Sequence, residues 1–201
     1  MTVLGDLLFY RRDQVDLDHV LRHQVELLRQ KVDALSDTFF AQKTDEEIAT
    51  HIATEATVEP LQVDFANAVA AVREVQVQRR DDFGFDRGSV RVPGLQATKT
   101  IRFKGDKALW HLRTNPFNMN PPHGDVRADT VVVGISVPAH AADEAARYID
   151  ETLARIPEYL QRQKAQIDAH NAGLVGHAMQ WVKVRRGRLS QASDLLKKLG
   201  G

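Results

Sequence analysis

The spacing of apolar positions changes character twice along the chain. Near the start they fall at Leu21, Val25, Leu28, Val32 and Leu35, in steps of 4, 3, 4 and 3. Steps of three and four place side chains on one narrow stripe of a helix, suited to packing on another helix. That helix should begin near Asp16–Asp18, where a carboxylate can accept from the free amides of the first turn. Thr44-Asp-Glu-Glu47 has the form of a capping box, a threonine followed three residues later by a glutamate. It predicts a shorter second helix that ends before Val58-Glu59-Pro60.

The middle of the chain switches to a period of two. Leu61, Val63 and Phe65 alternate with polar residues, as do Val75 and Val77, Val90 and Val92, Ile101 and Phe103, and Val131, Val133, Ile135 and Val137. Alternation over short runs predicts antiparallel strands with one buried face. Turn chemistry separates the runs: Phe83-Gly-Phe-Asp-Arg-Gly88, Pro93-Gly94 and Lys104-Gly105-Asp106. The alanines between Ala66 and Arg73 suit a helical turn as well as a strand.

The last third returns to helical spacing. An acidic turn at Asp143-Glu144 opens a helix that runs toward Pro157. Proline removes a backbone donor and disfavours helical geometry at Ile156, so a kink or break is expected there, with Pro157 in the first turn of the next helix. Leu153, Leu160, Ile167, Leu174 and Trp181 recur at sevens across that point. The companion line, Ile149, Ile156, Gln163, His170, His177 and Val184, turns polar midway. Gly173, Gly176 and Gly187 each weaken an exposed helix by about 1 kcal/mol relative to alanine, which argues against a free-standing rod.

These patterns predict an α+β fold: an antiparallel β-meander flanked by an N-terminal helix and a long kinked C-terminal helical segment. One domain is expected over residues 1–201, helical over 1–57, β-sheet over 58–138 and a helical arm over 139–201. With 43% apolar and 27% charged residues the composition is that of a globular protein. The chain has no cysteine, which excludes disulfides, thiolate metal sites and cysteine nucleophiles. No run reaches the roughly 20 apolar residues that cross a membrane, and MTVLGDLLFYRRDQ lacks the basic region and apolar core of a signal peptide. A cytoplasmic location follows as the expectation.

The net charge is zero but arrives in blocks. Residues 1–72 carry 6 Lys/Arg against 13 Asp/Glu, residues 73–127 carry 11 against 6, residues 128–154 carry 1 against 5, and residues 155–201 carry 9 against 3. Such blocks can balance one another within the molecule, steer self-association, or face a polyanion.

Several segments are candidates for chemistry. Thr114-Asn-Pro-Phe-Asn-Met-Asn-Pro-Pro-His-Gly-Asp125 combines three prolines, three asparagines and two apolar residues in one loop. A preorganised loop of this kind suits a ligand or partner site using Arg113, Phe117, Asn118, Asn120 and His123, or else routes the chain with Phe117 capping the core. Leu153, Leu160, Ile167, Leu174 and Trp181 form the candidate helix interface. The run Lys183-Val-Arg-Arg-Gly-Arg188 offers Lys183, Arg185, Arg186 and Arg188 for phosphate contact, or forms a solvated helix end. His19 and His23 share a helix face without a third ligand at diagnostic spacing, so no metal site is expected. His170 and His177 sit on one face, where protonation would loosen a helix seam. Glu55, Glu59 and Asp64 lie close in sequence, with Lys99 on a later strand, but their spacing is unspecific. A Gly-rich phosphate loop, a nucleophile elbow and a dinucleotide fingerprint are all missing, and no cofactor is expected.

Arg102-Phe-Lys-Gly-Asp106, Leu112 and Asn120-Pro-Pro-His-Gly-Asp-Val126, followed by Tyr159-Leu, Asn171, Arg185-Arg186, Leu189 and Leu199-Gly200, form a pattern over roughly residues 100–200. It resembles N-terminal modules of uncharacterised multidomain bacterial proteins, some of them similar to components of anti-phage defence systems in which such a module precedes an effector domain. The resemblance implies a sensing, assembly or regulatory role and carries over no catalytic residues. The terminal Gly-Gly is expected to be a helix stop leading into a linker, with the effector removed or encoded separately. The leading expectation is a non-catalytic module that self-associates or docks an effector through its helices. The alternatives are a nucleic-acid-binding protein using the basic residues of the sheet and C-terminal helix, and an enzyme with a dispersed site.

Overall fold

The computed structural model describes residues 1–10, 16–80, 89–114 and 120–200, without the side chains of residues 79, 80 and 89. Its elements are β1 (Thr2–Val3), β2 (Asp6–Leu7), α1 (Leu17–Ala34), α2 (Asp37–Gln42), α3 (Asp45–Ala56), β3 (Gln62–Arg80), β4 (Ser89–Lys104), β5 (His123–Val126), β6 (Thr130–Pro138) and α4 (Ala142–Lys198). The fold is α+β, and the sheet is antiparallel throughout. The chain divides into two compact units. One holds residues 1–17 and 60–164, the other residues 18–59 and 165–201. The boundary falls inside α4, so the supposed arm supplies one stretch to each unit.

In the sheet unit the strand order is β2-β5-β6-β4-β3, and β1 also pairs with β6. β6 is therefore central: β4 pairs along one edge, while β5 and β1 share the other. This position explains why Val131, Val132, Val133, Ile135 and Val137 are all buried rather than alternating with exposed residues. Ile135 and Val137 pack with Ala141 and Ala145 at the start of α4, joined by Val3, Ala97 and Tyr148. The stretch Ala66–Arg73 is strand, not helix, because it pairs with β4 from Val69 onward. The register shifts between Asp64 and Val69, where the Asp64 carboxylate accepts from both the backbone and side-chain amides of Asn67 at 3.2 and 2.8 Å. Gly94 is needed where β3, β4 and β6 meet: a Cβ there would lie 2.2 Å from Val77 Cγ2 and 2.5 Å from the Val137 carbonyl oxygen.

An aromatic group closes the sheet unit. Phe9 stacks on Tyr159 at 5.0 Å and tilts against Trp110 at 5.2 Å, and Phe103 meets Trp110 edge-on. Phe9 holds φ at 54°, a left-handed conformation that a bulky residue adopts only when its surroundings over-determine it. Here the rings and a hydrogen bond from the Phe9 amide to the Trp110 carbonyl hold it.

In the helical unit the stripe of α1 is buried as its spacing requires, with Leu28 and Val32 packed among Phe40, Ile48, Ala49, Ile52, Leu174, Ala178 and Val182. The capping box of α3 is complete: Thr44 Oγ1 accepts from the Glu47 amide, and Glu47 accepts from the Thr44 amide at 2.9 Å.

The break expected at Pro157 does not occur, and α4 is one 57-residue helix with Pro157 inside it. Pro157 itself is exposed, so the lost hydrogen bond falls where water can reach it. Ile156 and Tyr159 are buried beside it and hold the turn in place.

Candidate functional site

The Pro/Asn-rich loop is, where described, used to build the sheet unit. Phe117 and Asn118 lie outside the described residues. Arg113 Nε and a terminal nitrogen both donate to Asp16 Oδ1 at 2.6 Å, and the Arg113 carbonyl accepts from the Leu17 amide. The Asp16 carboxylate, by that hydrogen bond, raises the Arg113 pKa above its usual value. The Asn120 carbonyl accepts from Arg155 at 3.4 Å. Pro121 and Pro122 are buried, and the Pro122 carbonyl accepts from the Leu8 amide at 2.7 Å. His123 is half-buried in β5 opposite Leu7, where burial, and secondarily the Arg155 cation, push its pKa down. Arg113 and Asn120 thus tie down the route of the chain.

The heptad line divides between the units. Leu153 and Leu160, in the sheet unit, are half-buried, as is Trp181 in the helical unit, where Arg29 stacks over its indole. Ile167 and Leu174 are fully buried inside the helical unit. Both are therefore covered within the chain itself. The stripe at sevens reflects packing within the chain, because two antiparallel helices and a helix pair between chains require the same periodicity. Of the companion line, Ile149, Ile156 and Gln163 are buried too. Gln163 is the polar member the sequence left unexplained, and it donates to the Leu109 carbonyl at 2.8 Å. His170 approaches Gln24 Oε1 at 3.2 Å, while burial and the His177 charge lower its pKa.

The basic run is largely committed. Arg185 donates to the carbonyls of Asp33 and Leu35 at 2.6 and 2.8 Å and to the Asp37 carboxylate at 3.1 Å. Arg186 donates to the carbonyls of Phe40 and Lys43 at 3.0 and 2.8 Å and pairs with Asp45. Both guanidinium groups lie over the Phe40 ring. The carbonyls at the ends of α1 and α2 have no partner within their helices, so Arg185 and Arg186 act as C-terminal caps from a distance. Arg188 pairs with Asp33. Of the proposed phosphate contacts, Lys183 remains as an exposed residue.

Two of the carboxylates grouped with Lys99, and Lys99 itself, have partners close at hand. Glu55 pairs with Lys31 and His51, Asp64 holds Asn67, and Lys99 pairs with Asp150. His23 lies beside Glu26. Among the described residues no group of three His, Cys, Asp or Glu could hold a metal ion, and no helix is long and apolar enough to cross a membrane.

What stands open is the end of α4. Every residue from Ser190 to Lys198 is exposed, with Leu195, Leu196 and Leu199 at 58%, 62% and 77%. A second open feature of the same unit is a groove of about 580 Å³ beside α2 and α3, lined by Phe39, Lys43, Glu46, Glu47, Thr50 and His51. Comparison with protein families, curated proteins and solved structures finds no match for this chain.

Proposed function

We propose that the protein is a non-catalytic assembly module that self-associates, or docks an effector, through its helical unit. The observation that supports this is the leucine-bearing end of α4. Three large apolar side chains within five residues stand in water, Leu195 and Leu196 in the last turn of α4 and Leu199 in the turn that follows it. Such a cluster costs solubility unless something covers it. The engagement of Arg185 and Arg186 with backbone carbonyls and carboxylates leaves the nucleic-acid reading with less support. A role in bacterial anti-phage defence rests on the sequence resemblance over residues 100–200 alone.

The test is sedimentation velocity over a concentration series, comparing the full chain with a Leu195→Asp/Leu199→Asp variant. Concentration-dependent assembly by the first and a monomer for the second are expected. A wild-type chain that stays monomeric up to about 1 mM removes self-association and leaves effector docking as the whole of the reading.

A further inference from the structure

β3 forms one margin of the sheet: among the described strands it pairs with β4 alone. Alternate residues of such a strand turn their amide and carbonyl groups away from the sheet, a row of donors and acceptors that another extended backbone can complete. The cover that α4 gives the sheet ends one strand short of it. Ala97 of β4 packs against the cluster that holds Ala141 and Ala145, yet Val72, directly opposite Ala97 on the same face, is 66% exposed. Val69, on the other face, is 66% exposed as well, and every residue from Val69 to Glu74 is open to water.

Sheet edges are ordinarily blunted by proline, by lysine or by a bulge that twists the strand away. Residues 66–78 contain neither proline nor lysine. Arg73 is turned back over its own sheet, its Nε donating to Gln96 Oε1 at 2.6 Å. The irregularity between Asp64 and Val69 closes the regular edge at one end, so an added strand would start at Val69. What remains is a regular edge with valine at 69, 72 and 75.

That spacing selects the occupant. Two copies of one strand, antiparallel about a two-fold axis, place residues equally far on either side of the centre opposite one another. With Val72 at the centre, Val72 meets Val72 of the second copy and Val69 meets Val75, while Arg73 faces Ala71 and Glu74 faces Ala70. Valine then meets valine on both faces of the sheet, and each charge lies across from a small side chain. Moving the centre to Arg73 or Glu74 opposes like charges. Moving it to Ala70 or Ala71 sets Val69 and Val72 against alanine or arginine.

We infer that β3 is a self-pairing edge: β3 of a second copy adds to it antiparallel, in register about Val72, and joins two sheets into one. This goes beyond the α4 contact proposed above, because the surface lies in the sheet unit. A ladder of seven residues is smaller than a standard interface, so a dissociation constant on the order of 1 mM is expected. Dilute chains without the α4 contact therefore remain monomeric, and the edge fills where α4 holds copies at high local concentration.

The experiment is disulfide trapping on the full chain, which has no cysteine of its own. In this register two Val72→Cys thiols face each other with Cα atoms about 5 Å apart, within the span of a disulfide. Two Ala70→Cys thiols, or two Glu74→Cys thiols, lie about 14 Å apart and cannot join, but one of each can. Under mild oxidation Val72→Cys should form covalent dimer at least about tenfold faster than Ala70→Cys or Glu74→Cys alone, and a mixture of the last two should approach its rate. All three positions are exposed, so an unchanged melting temperature is expected. Adding Leu195→Asp/Leu199→Asp should slow trapping and keep this order of rates, which separates the edge from the α4 contact. Equal rates in the three single variants, no dimer from Val72→Cys, or a mixture no faster than its components would each overturn the pairing. The expected order of rates in a chain that sediments as a monomer would uphold the pairing and remove the α4 contact alone.

Discussion

Arg185 provides a direct test of whether the basic run is structural. Replacing it with methionine keeps an unbranched apolar stem and removes the guanidinium donors. Two of those donors reach backbone carbonyls at the end of α1, at 2.6 and 2.8 Å. A hydrogen bond from a charged donor contributes about 1.5–3 kcal/mol, and a partly buried side chain places each bond toward the lower value. The stacking over Phe40 at 5.3 Å adds about 0.5–1 kcal/mol, part of which methionine retains. The contact with the well-exposed Asp37 adds little. Arg185 Nε is buried without a hydrogen bond, which offsets some of the gain.

The expected loss for Arg185→Met is therefore about 3 kcal/mol. Arg188→Met is the control. The Arg188 side chain is 54% exposed against 17% for Arg185 and pairs with a surface carboxylate, so its loss should be under about 0.5 kcal/mol. Urea unfolding followed by helical circular dichroism measures both, and amide exchange over residues 30–35 should accelerate only in Arg185→Met. Equal, small losses in the two variants would refute the capping role and return the Arg185 guanidinium to the candidates for binding an external anion.

Three further outcomes follow from the packing. Gln163→Leu removes one of the two donors to the buried Leu109 carbonyl, which keeps the Leu112 amide at 3.3 Å, and should cost about 0.5–1.5 kcal/mol in urea unfolding; a loss well above that would mean that the Leu112 amide alone does not satisfy the carbonyl. Pro157→Ala restores a backbone donor at an exposed interior position of α4 and should raise stability by about 1–3 kcal/mol, whereas a loss would show that the helix has adapted to the ring. His170 is held below its ordinary pKa by burial and by His177, so the unfolded chain binds the proton more readily. Its contribution to stability is complete above about pH 6.5 and is lost as pH falls through the depressed folded value. His170→Gln should flatten that part of the stability–pH profile, and an unchanged slope would assign it to another group.

Legibility varied with how local the cause was. The α3 capping box was readable because both partners lie within four residues and the bonds close on the same turn. The α1 stripe was readable because one helix face meets one core. Of the kink or break expected at Pro157 the break does not occur, because the local penalty of proline is smaller than the burial of Ile156 and Tyr159 on either side of it. Ala66–Arg73 was ambiguous because alanine has little preference, and only pairing with β4 decided it. The all-buried β6 could not be read as central, since burial of both faces depends on which strands and helices arrive later. Arg185 and Arg186 looked like free cations because their acceptors lie about 140 to 150 residues away in sequence.

The sequence by itself determined α1, α3, the alternating strands of the middle, the helical last third, the lack of thiol chemistry and the charge blocks, because these depend on periodicity, on composition and on contacts within a turn. Only the tertiary structure decided what each exposed-looking residue does. It buried Ile167 and Leu174 within the chain, assigned two arginines to the ends of distant helices, and left Leu195, Leu196 and Leu199 uncovered. The physical reason is that an apolar stripe or a cation states a requirement for a partner without naming it. The partner is chosen by which backbone ends and which faces the fold brings within a few ångströms.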